Sequence, residues 1–595
     1  MTDAWEEDLS PIGALDWTPE RARHLLNRAG FGGPPDEVAR LAAMPPEKAV
    51  AWFIDFKTID NTHLAPFEHS GIYDPSLTPF PPTRPAATRL AEETGSAMGV
   101  DAKPTGPRRL QPVADRFFFW LRASMLETRR VANWWADRMV ATNRPLQEKL
   151  ALFWHGHFAS SEEKVRDYRK MLGQVQLFQE HAAGNFGTLL SAVARDPAML
   201  VYLDAGQNLK GRPNENFGRE LMELFTMGVG NYTEQDLREA ARAFTGWRDN
   251  DLSFHIDAAQ HDDGQKTVLG HTGPLGGQEV LDIILAQPAT SNFIAGKLYR
   301  FLVRDELSSQ FQGQLGDLLR ANNYEIAPFL RTVFLSRDFY SPDSIGTHIK
   351  GPVELIVSTY RRLGLAATPG MPDFNSTSTD LGQALLNPST VAGWSQGRAW
   401  ITPGSLLARG NFARAVLLPD VIAFTDPNLD PYPTQVRAFS ARIRAGDDIA
   451  TASKIVDGAD SRQPQQSDMA AAKQQAGLAT ANLLSEHEEF NTHYASLKGW
   501  EEAVRRVKPT PRGAAQFSLT TLVLEGGARS SGDAVDCLVK RFLSVPLDPA
   551  ARSAAVSFLE AELGTTDLDR AKTYLEEPLR LTAHLIMSTP EYQLA

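Results

Sequence analysis

Two histidines separated by one glycine, His155 and His157 in FWHGHF, are the most suggestive pair in the chain, because neutral imidazole binds zinc, copper, iron and nickel without thiolates. Residues two apart on a regular helix point about 200° away from each other. A shared ion therefore needs an irregular backbone, which Gly156 permits; otherwise the two rings pack in the core or at the surface. Glu220 and Glu223 in NENFGRELMELF are three apart, so both carboxylates fall on one helix face beside the apolar stripe of Phe217, Leu221, Leu224 and Phe225. An acidic pair drawn out of water is costly unless a cation or a shared proton relieves it. The alternative is an ordinary surface helix in which Arg219 pairs with Glu223 across one turn. His261-Asp262-Asp263-Gly264 sets an imidazole beside carboxylates at an expected hairpin tip, although Asp-Gly is also a plain turn signal. His181 precedes Ala182-Ala183-Gly184 and so falls in the last turn of a helix, where the macrodipole favours imidazolium with or without a ligand.

These residues set the expectation of a helical metalloenzyme. His155, His157, His181, Glu220, Glu223 and His261 would surround one or two transition metal ions, zinc, copper or iron, with Glu220 and Glu223 as the catalytic carboxylates. Redox chemistry is narrowly preferred to metal-dependent hydrolysis by metal-bound water. The rival is a non-catalytic binding or assembly protein, in which the same side chains form buried hydrogen-bond networks. A Gly-rich phosphate loop ending in Gly-Lys-Ser/Thr and HExxH are missing from the sequence.

The elements that must position these residues are mainly helices. Thr18-Pro19 starts one, with Thr as N-cap, and Pro34-Pro35-Asp36 starts the next. Thr233-Glu234 starts another, which Phe244-Thr245-Gly246-Trp247 closes. Short β-prone runs between 252 and 273 predict one small hairpin around Asp263-Gly264, and irregular Pro/Gly/Trp-rich loops interrupt the rest, as at 388–404. The reading is mainly α: a multi-helix body with a small β-hairpin element. Residues 1–72 form N-terminal helices, 73–111 a Pro-rich strap, and 112–425 a helical core with the candidate site. Residues 426–515 form a polar insertion rich in Ala, Gln and Ser, and 516–595 C-terminal helices that pack on the core.

Composition narrows the partners. Of 595 residues 42% are hydrophobic, which is a globular value, and 60 Lys and Arg against 72 Asp and Glu leave a net charge of −12. Phosphate-backbone binding wants the opposite sign, so nucleic acid is not an expected partner. The one cysteine, Cys537, excludes intrachain disulfides and thiolate-rich metal sites. No apolar run is long enough to span a bilayer, and the acidic start MTDAWEEDLS is unlike a signal peptide. The expectation is a soluble, cytoplasmic chain as written, exported only if a leader preceded Met1.

HLLNRAGFG, FWHGHF, HAAGNFGTLLSAVARDPAMLVYLD, NENFGRELMELFTMGVGNYTEQDLREAARAFTGW, HDDGQKTVLG, TVAGWSQGRAWI and MSTPEYQLA together resemble the bacterial "domain of unknown function 1800" family, from about residue 18 to the C-terminus. The resemblance implies a largely helical protein. It also implies relatives that are exported and encoded beside a second uncharacterised protein, a candidate partner here. It supplies no catalytic residues.

Overall fold

The computed structural model describes residues 5–73, 111–419 and 492–595. The strap at 73–111 and the insertion up to 491 therefore lie almost wholly outside the described residues.

Helix punctuation does what local chemistry asks of it. The Thr18 hydroxyl accepts from the Arg21 N–H at the start of α1 (Pro19–Arg28), and α2 (Pro35–Ala42) and α3 (Pro46–Ile54) each open on proline. Beyond them, α4 (Gln111–Ala141) is the longest described helix, followed by α5 (Pro145–His157), α6 (Glu162–Val165), α7 (Tyr168–His181), α8 (Phe186–Ala194) and α9 (Pro197–Tyr202). The side chains of Ser161, Asp167, Asn185 and Asp196 cap the last four, each accepting a backbone N–H.

After α10 (Asn216–Glu220) the helix widens into one π-helical segment, Leu221–Thr226, and α11 (Glu234–Ala243) follows behind a capping box made by Thr233 and Asp236.

The β structure is small but differs from the expected hairpin. Strands β1 (Trp247–Asn250) and β2 (Ser253–Ile256) pair antiparallel, Trp247 opposite Ile256, and β3 (Lys266–Val268) and β4 (His271–Gly273) form a second two-stranded sheet. The second hairpin turns at Leu269-Gly270, both left-handed with φ of 49° and 82°, the requirement of a mirror-image turn. Asp263-Gly264 instead lies in the loop before β3, where the Asp262 carboxylate accepts from the Gly264 N–H at 2.8 Å and binds Arg242.

Helices α12 (Gly277–Ala286), α13 (Pro288–Leu302), α14 (Ser309–Ala321) and α15 (Ile326–Leu335) lead to α16 (Pro352–Arg362), every residue of which is buried. That helix is the hub. Its two arginines are buried with partners: Arg361 donates to the carbonyls of Gly32 and Val140, and Arg362 to that of Phe542. Then come α17 (Phe374–Asp380) and α18 (Pro403–Leu417). The described end of the polar insertion is also helical. There α19 (Thr492–Arg506) lies along α4, with Leu497, Trp500 and Ala503 buried. Helices α20 (Leu519–Glu525), α21 (Ser531–Phe542), α22 (Pro549–Leu563), α23 (Leu568–Ala571) and α24 (Glu576–Met587) close the fold. The final residues dock on the hub: Lys350 Nζ donates to the Tyr592 carbonyl at 2.7 Å, and the Ala595 N–H to that of His348 at 2.9 Å.

Candidate functional site

The His155–His157 segment is regular helix to its last residue, with the Phe158 N–H closing on the Trp154 carbonyl at 2.7 Å. The two imidazoles consequently diverge. His155 Nε2 accepts the Leu386 N–H at 3.1 Å, in a nest of Trp135, Phe178 and Trp394, and it fixes a left-handed residue, since Leu386 has φ of 64°. His157 Nε2 donates to the Phe225 carbonyl at 3.0 Å. That carbonyl belongs to the π-helical turn, whose wider ladder runs from the Met227 N–H to the Met222 carbonyl, so an outside donor at its end is useful. Burial pushes both imidazoles down to about 3, with Lys297 adding to the effect on His157. Both are neutral near pH 7, and the lone pair of His155 Nε2 is already in use.

Gly156 does not bend the helix. It lets another loop approach: a side chain there would meet Trp394 Cε3 at 3.3 Å, and one on Gly393 (φ of 90°) would overlap the Gly156 carbonyl.

The other expected ligands lie elsewhere in their own local bonds. Glu220 and Glu223 are half-buried; burial, then the neighbouring Glu223, raises the pKa of Glu220, while Tyr232 Oη donates to Glu223 Oε2 at 2.8 Å. Arg219 leaves Glu223 alone and bridges Glu215 and Glu234, each at 3.1 Å. His181 ends α7, half-buried, and His261 Nδ1 donates to the Thr245 carbonyl at 2.8 Å. Among the described residues, no group of three or more His, Cys, Asp and Glu could hold a metal ion. The six residues expected to share one therefore form no ligand set, and the donors present do not fit a zinc, copper or iron centre.

What the FWHGHF helix does help to build is a cavity. About 50 Å³ of space lies between α5, the start of α16 and the loop 383–400, walled by Phe153, Gly156, His348, Gln383, Trp394 and Trp400 among others. Glu354 anchors its floor. Oε2 accepts from the Gly351 N–H at 2.8 Å and from His348 Nε2 at 3.1 Å, and Oε1 pairs with Lys149. Burial opposes the charge on Glu354, yet Lys149, His348 and Arg28 hold its pKa well below the usual carboxylate range. With Nε2 of His348 donating to an anion, its Nδ1 carries the lone pair.

Nothing among the described residues answers that lone pair. His348 is 7% exposed and Trp394 9%, and neither His348 Nδ1 nor Trp394 Nε1 has a hydrogen-bond partner. One is an acceptor and the other a donor, on the wall of one cavity. Arg300, Asp305, Ser395 and Gln396 also contribute to that wall and give it a polar rim.

Sequence reasoning passes over His348, Glu354, Lys149 and the acceptor–donor pair. A signal existed in Gly351-Pro352-Val353-Glu354, a helix start with glutamate at its third position, three residues after His348.

These features define a largely helical protein whose separate sequence motifs meet at a small polar cavity: FWHGHF and GWSQGRAW line it, and the terminal PEYQLA docks directly behind it on His348 and Lys350. The same α5 is tied through His157 to the NENFGRELMELF helix. The chain belongs to the family described as protein of unknown function, DUF1800, which it matches over residues 24–594. No curated protein and no solved structure matched it.

Proposed function

We propose that this protein is a binding protein for a small, uncharged, hydroxyl-bearing molecule, of the polyol or sugar class, held at the cavity before α16. One observation carries the reading: a buried acceptor, His348 Nδ1, and a buried donor, Trp394 Nε1, share that cavity without partners among the described residues. A hydroxyl both donates and accepts, so it satisfies the two at once, and each such group left unmet costs about 1–3 kcal/mol. The space admits one hydroxyl-bearing end rather than a whole sugar. The remainder would lie against Ser395, Gln396, Arg300 and Asp305, which suit further hydroxyls.

A catalytic reading has one observation in its favour, the carboxylate-oriented imidazole. Burial first and Arg28 next hold His348 at about 4 despite Glu354, which makes it a weak base at neutral pH and a good neutral acceptor. The metal-dependent oxidoreductase and hydrolase readings need a ligand set that the described residues do not form.

Calorimetric titration with a panel of monosaccharides and polyols tests the proposal. At least one should bind saturably, and Trp394→Phe, which keeps the ring and removes the donor, should weaken it by about tenfold. If no member binds, and ordered water alone occupies both positions in a crystal, the reading fails.

A further inference from the structure

The loop that closes the cavity before α16 reads Gly393-Trp394-Ser395-Gln396-Gly397, a G-x-S-x-G string, and its two glycines are required by close contacts. Gly393 has φ of 90°, and a side chain there would come within 2.1 Å of the Gly156 carbonyl oxygen; Gly397 has φ of 55°, and a side chain there would come within 2.3 Å of Asp305 Oδ2. Clamped at both ends, the loop sets Trp394, Ser395 and Gln396 on the cavity wall, with Trp394 buried and the other two exposed. Hydrolases built on a parallel sheet carry such a serine at a strand-to-helix elbow. Here the two glycine contacts fix it instead, and the short 3-10 turn Gly397–Trp400 follows.

The serine adds a second observation to the carboxylate-oriented imidazole. Ser395 Oγ has no hydrogen-bond partner among the described residues. On the same wall His348 presents Nδ1 as an unanswered acceptor, while its Nε2 is held by Glu354 at 3.1 Å, the relation of a base to the group that orients it. The N–H of Gln396, next after the serine, is also without a partner among the described residues. That position donates to the developing oxyanion wherever a serine of this motif is the nucleophile. Ser395 Oγ and His348 Nδ1 are not bonded to each other, and such catalytic bonds are often long until substrate binds.

We propose that this cavity hydrolyses carboxylic esters of small polyols or sugars, with Ser395 as the nucleophile, His348 as the general base and Glu354 as its positioning residue. The inference rests on the hydroxyl-binding reading above, because the hydroxyl that His348 and Trp394 hold is the alcohol half of the ester. Ser395 Oγ attacks the ester carbonyl carbon and its proton passes to His348 Nδ1, while the Gln396 N–H donates to the oxygen that becomes negative. The bond from that carbon to the alcohol oxygen then breaks, His348 returns the proton to this oxygen, and the polyol departs from an acyl-serine. Water gives a proton to His348 and attacks the acyl-serine carbonyl; the carboxylic acid leaves as His348 returns the proton to Ser395 Oγ. One ester and one water become one acid and one alcohol, with no other reactant.

A base as weak as His348 makes acylation slow, so the covalent serine adduct is the better readout. A fluorophosphonate probe, which bonds covalently to activated serines, should label the folded full chain at Ser395, located by peptide mass spectrometry, and p-nitrophenyl acetate should acetylate the same residue. Ser395→Ala should abolish both, and His348→Gln should slow labelling by about a hundredfold or more, with folding checked by circular dichroism. Should His348→Gln not fold, the exposed Ser395 position carries the test. Polyols should protect Ser395 from the probe, and their calorimetric titration into the unmodified protein reports the binding reading by itself. Polyol binding without any labelling of Ser395, labelling that is as fast in the urea-unfolded chain, or a folded His348→Gln that labels at the parent rate overturns the hydrolase and leaves the binding reading standing. Labelling of Ser395 with no polyol bound or protecting overturns the polyol ester as substrate, together with the reading beneath it.

Discussion

Replacing His157 by Gln should change how the stability of this protein responds to acid, in a direction and by an amount that follow from where the ring sits. The imidazole is buried and neutral, pushed down to about 3 from an ordinary value of 6.5, burial being the main cause. The unfolded chain therefore binds a proton below about pH 6.5 that the folded chain refuses, so the stabilisation is complete above 6.5 and is lost as pH falls toward 3. Between about pH 7 and about pH 5 one such group costs the fold about 2 kcal/mol. His24 and His155, each also held at about 3, act in the same direction. Glu162, raised to about 8, and Asp196, raised to about 6, act in the opposite one, because acid protonates them more readily in the folded state. All of these cancel in the difference between variant and parent. Urea midpoints measured across that pH range should show the Gln variant less stable overall at neutral pH, yet losing about 2 kcal/mol less on acidification. Equal acid slopes for the two proteins would falsify the placement of His157 as a buried, neutral donor to Phe225.

Three further outcomes follow from the packing. Glu354→Gln should destabilise by about 3–5 kcal/mol, since Lys149, 1% exposed, would keep a buried charge without its partner; adding Lys149→Met should restore most of the loss, and no recovery in the urea midpoint would contradict the ion pair. Gly393→Ala should cost about 2–4 kcal/mol, from a left-handed φ of 90° and overlap with the Gly156 carbonyl, whereas Gly156→Ala, which only presses Trp394, should stay within about 1 kcal/mol. A thermal shift of equal size for the two would refute the loop-on-helix contact. Thr233→Ala should cost about 1 kcal/mol by removing a capping box, read from the same melts, and an unchanged melt would count against the cap.

Much of the fold was legible because helix starts and stops are local. Thr18-Pro19 and Thr233-Glu234 supply their own caps within three or four residues, and Pro34-Pro35 presets the first turn of its helix, so the chain carries the instruction wherever it packs. The family motifs were legible for the same reason, as strings. The hairpin was misplaced because Asp-Gly is a turn signal that several turns can use, and here Asp262 spends it on its own Gly264 and on Arg242.

The site was another matter. His155 meets Leu386, His157 meets Phe225 and Lys149 meets Glu354, pairs 231, 68 and 205 residues apart. Spacing along the chain holds no record of those meetings, so a histidine pair with metal-ligand chemistry reads the same as two histidines spent on backbone groups. His348 looked solitary for the converse reason: its partner at Glu354 is six residues away, but the two aromatic rings and the glycine that complete the cavity arrive from α5 and from the loop after α17. The sequence by itself determined a mainly helical protein, where its helices begin, and which residue types were on hand for chemistry. Tertiary structure alone decided which nitrogen of each imidazole was already engaged and which was left facing nothing, because burial and long-range backbone partners, not residue type, set the tautomer and charge of a histidine.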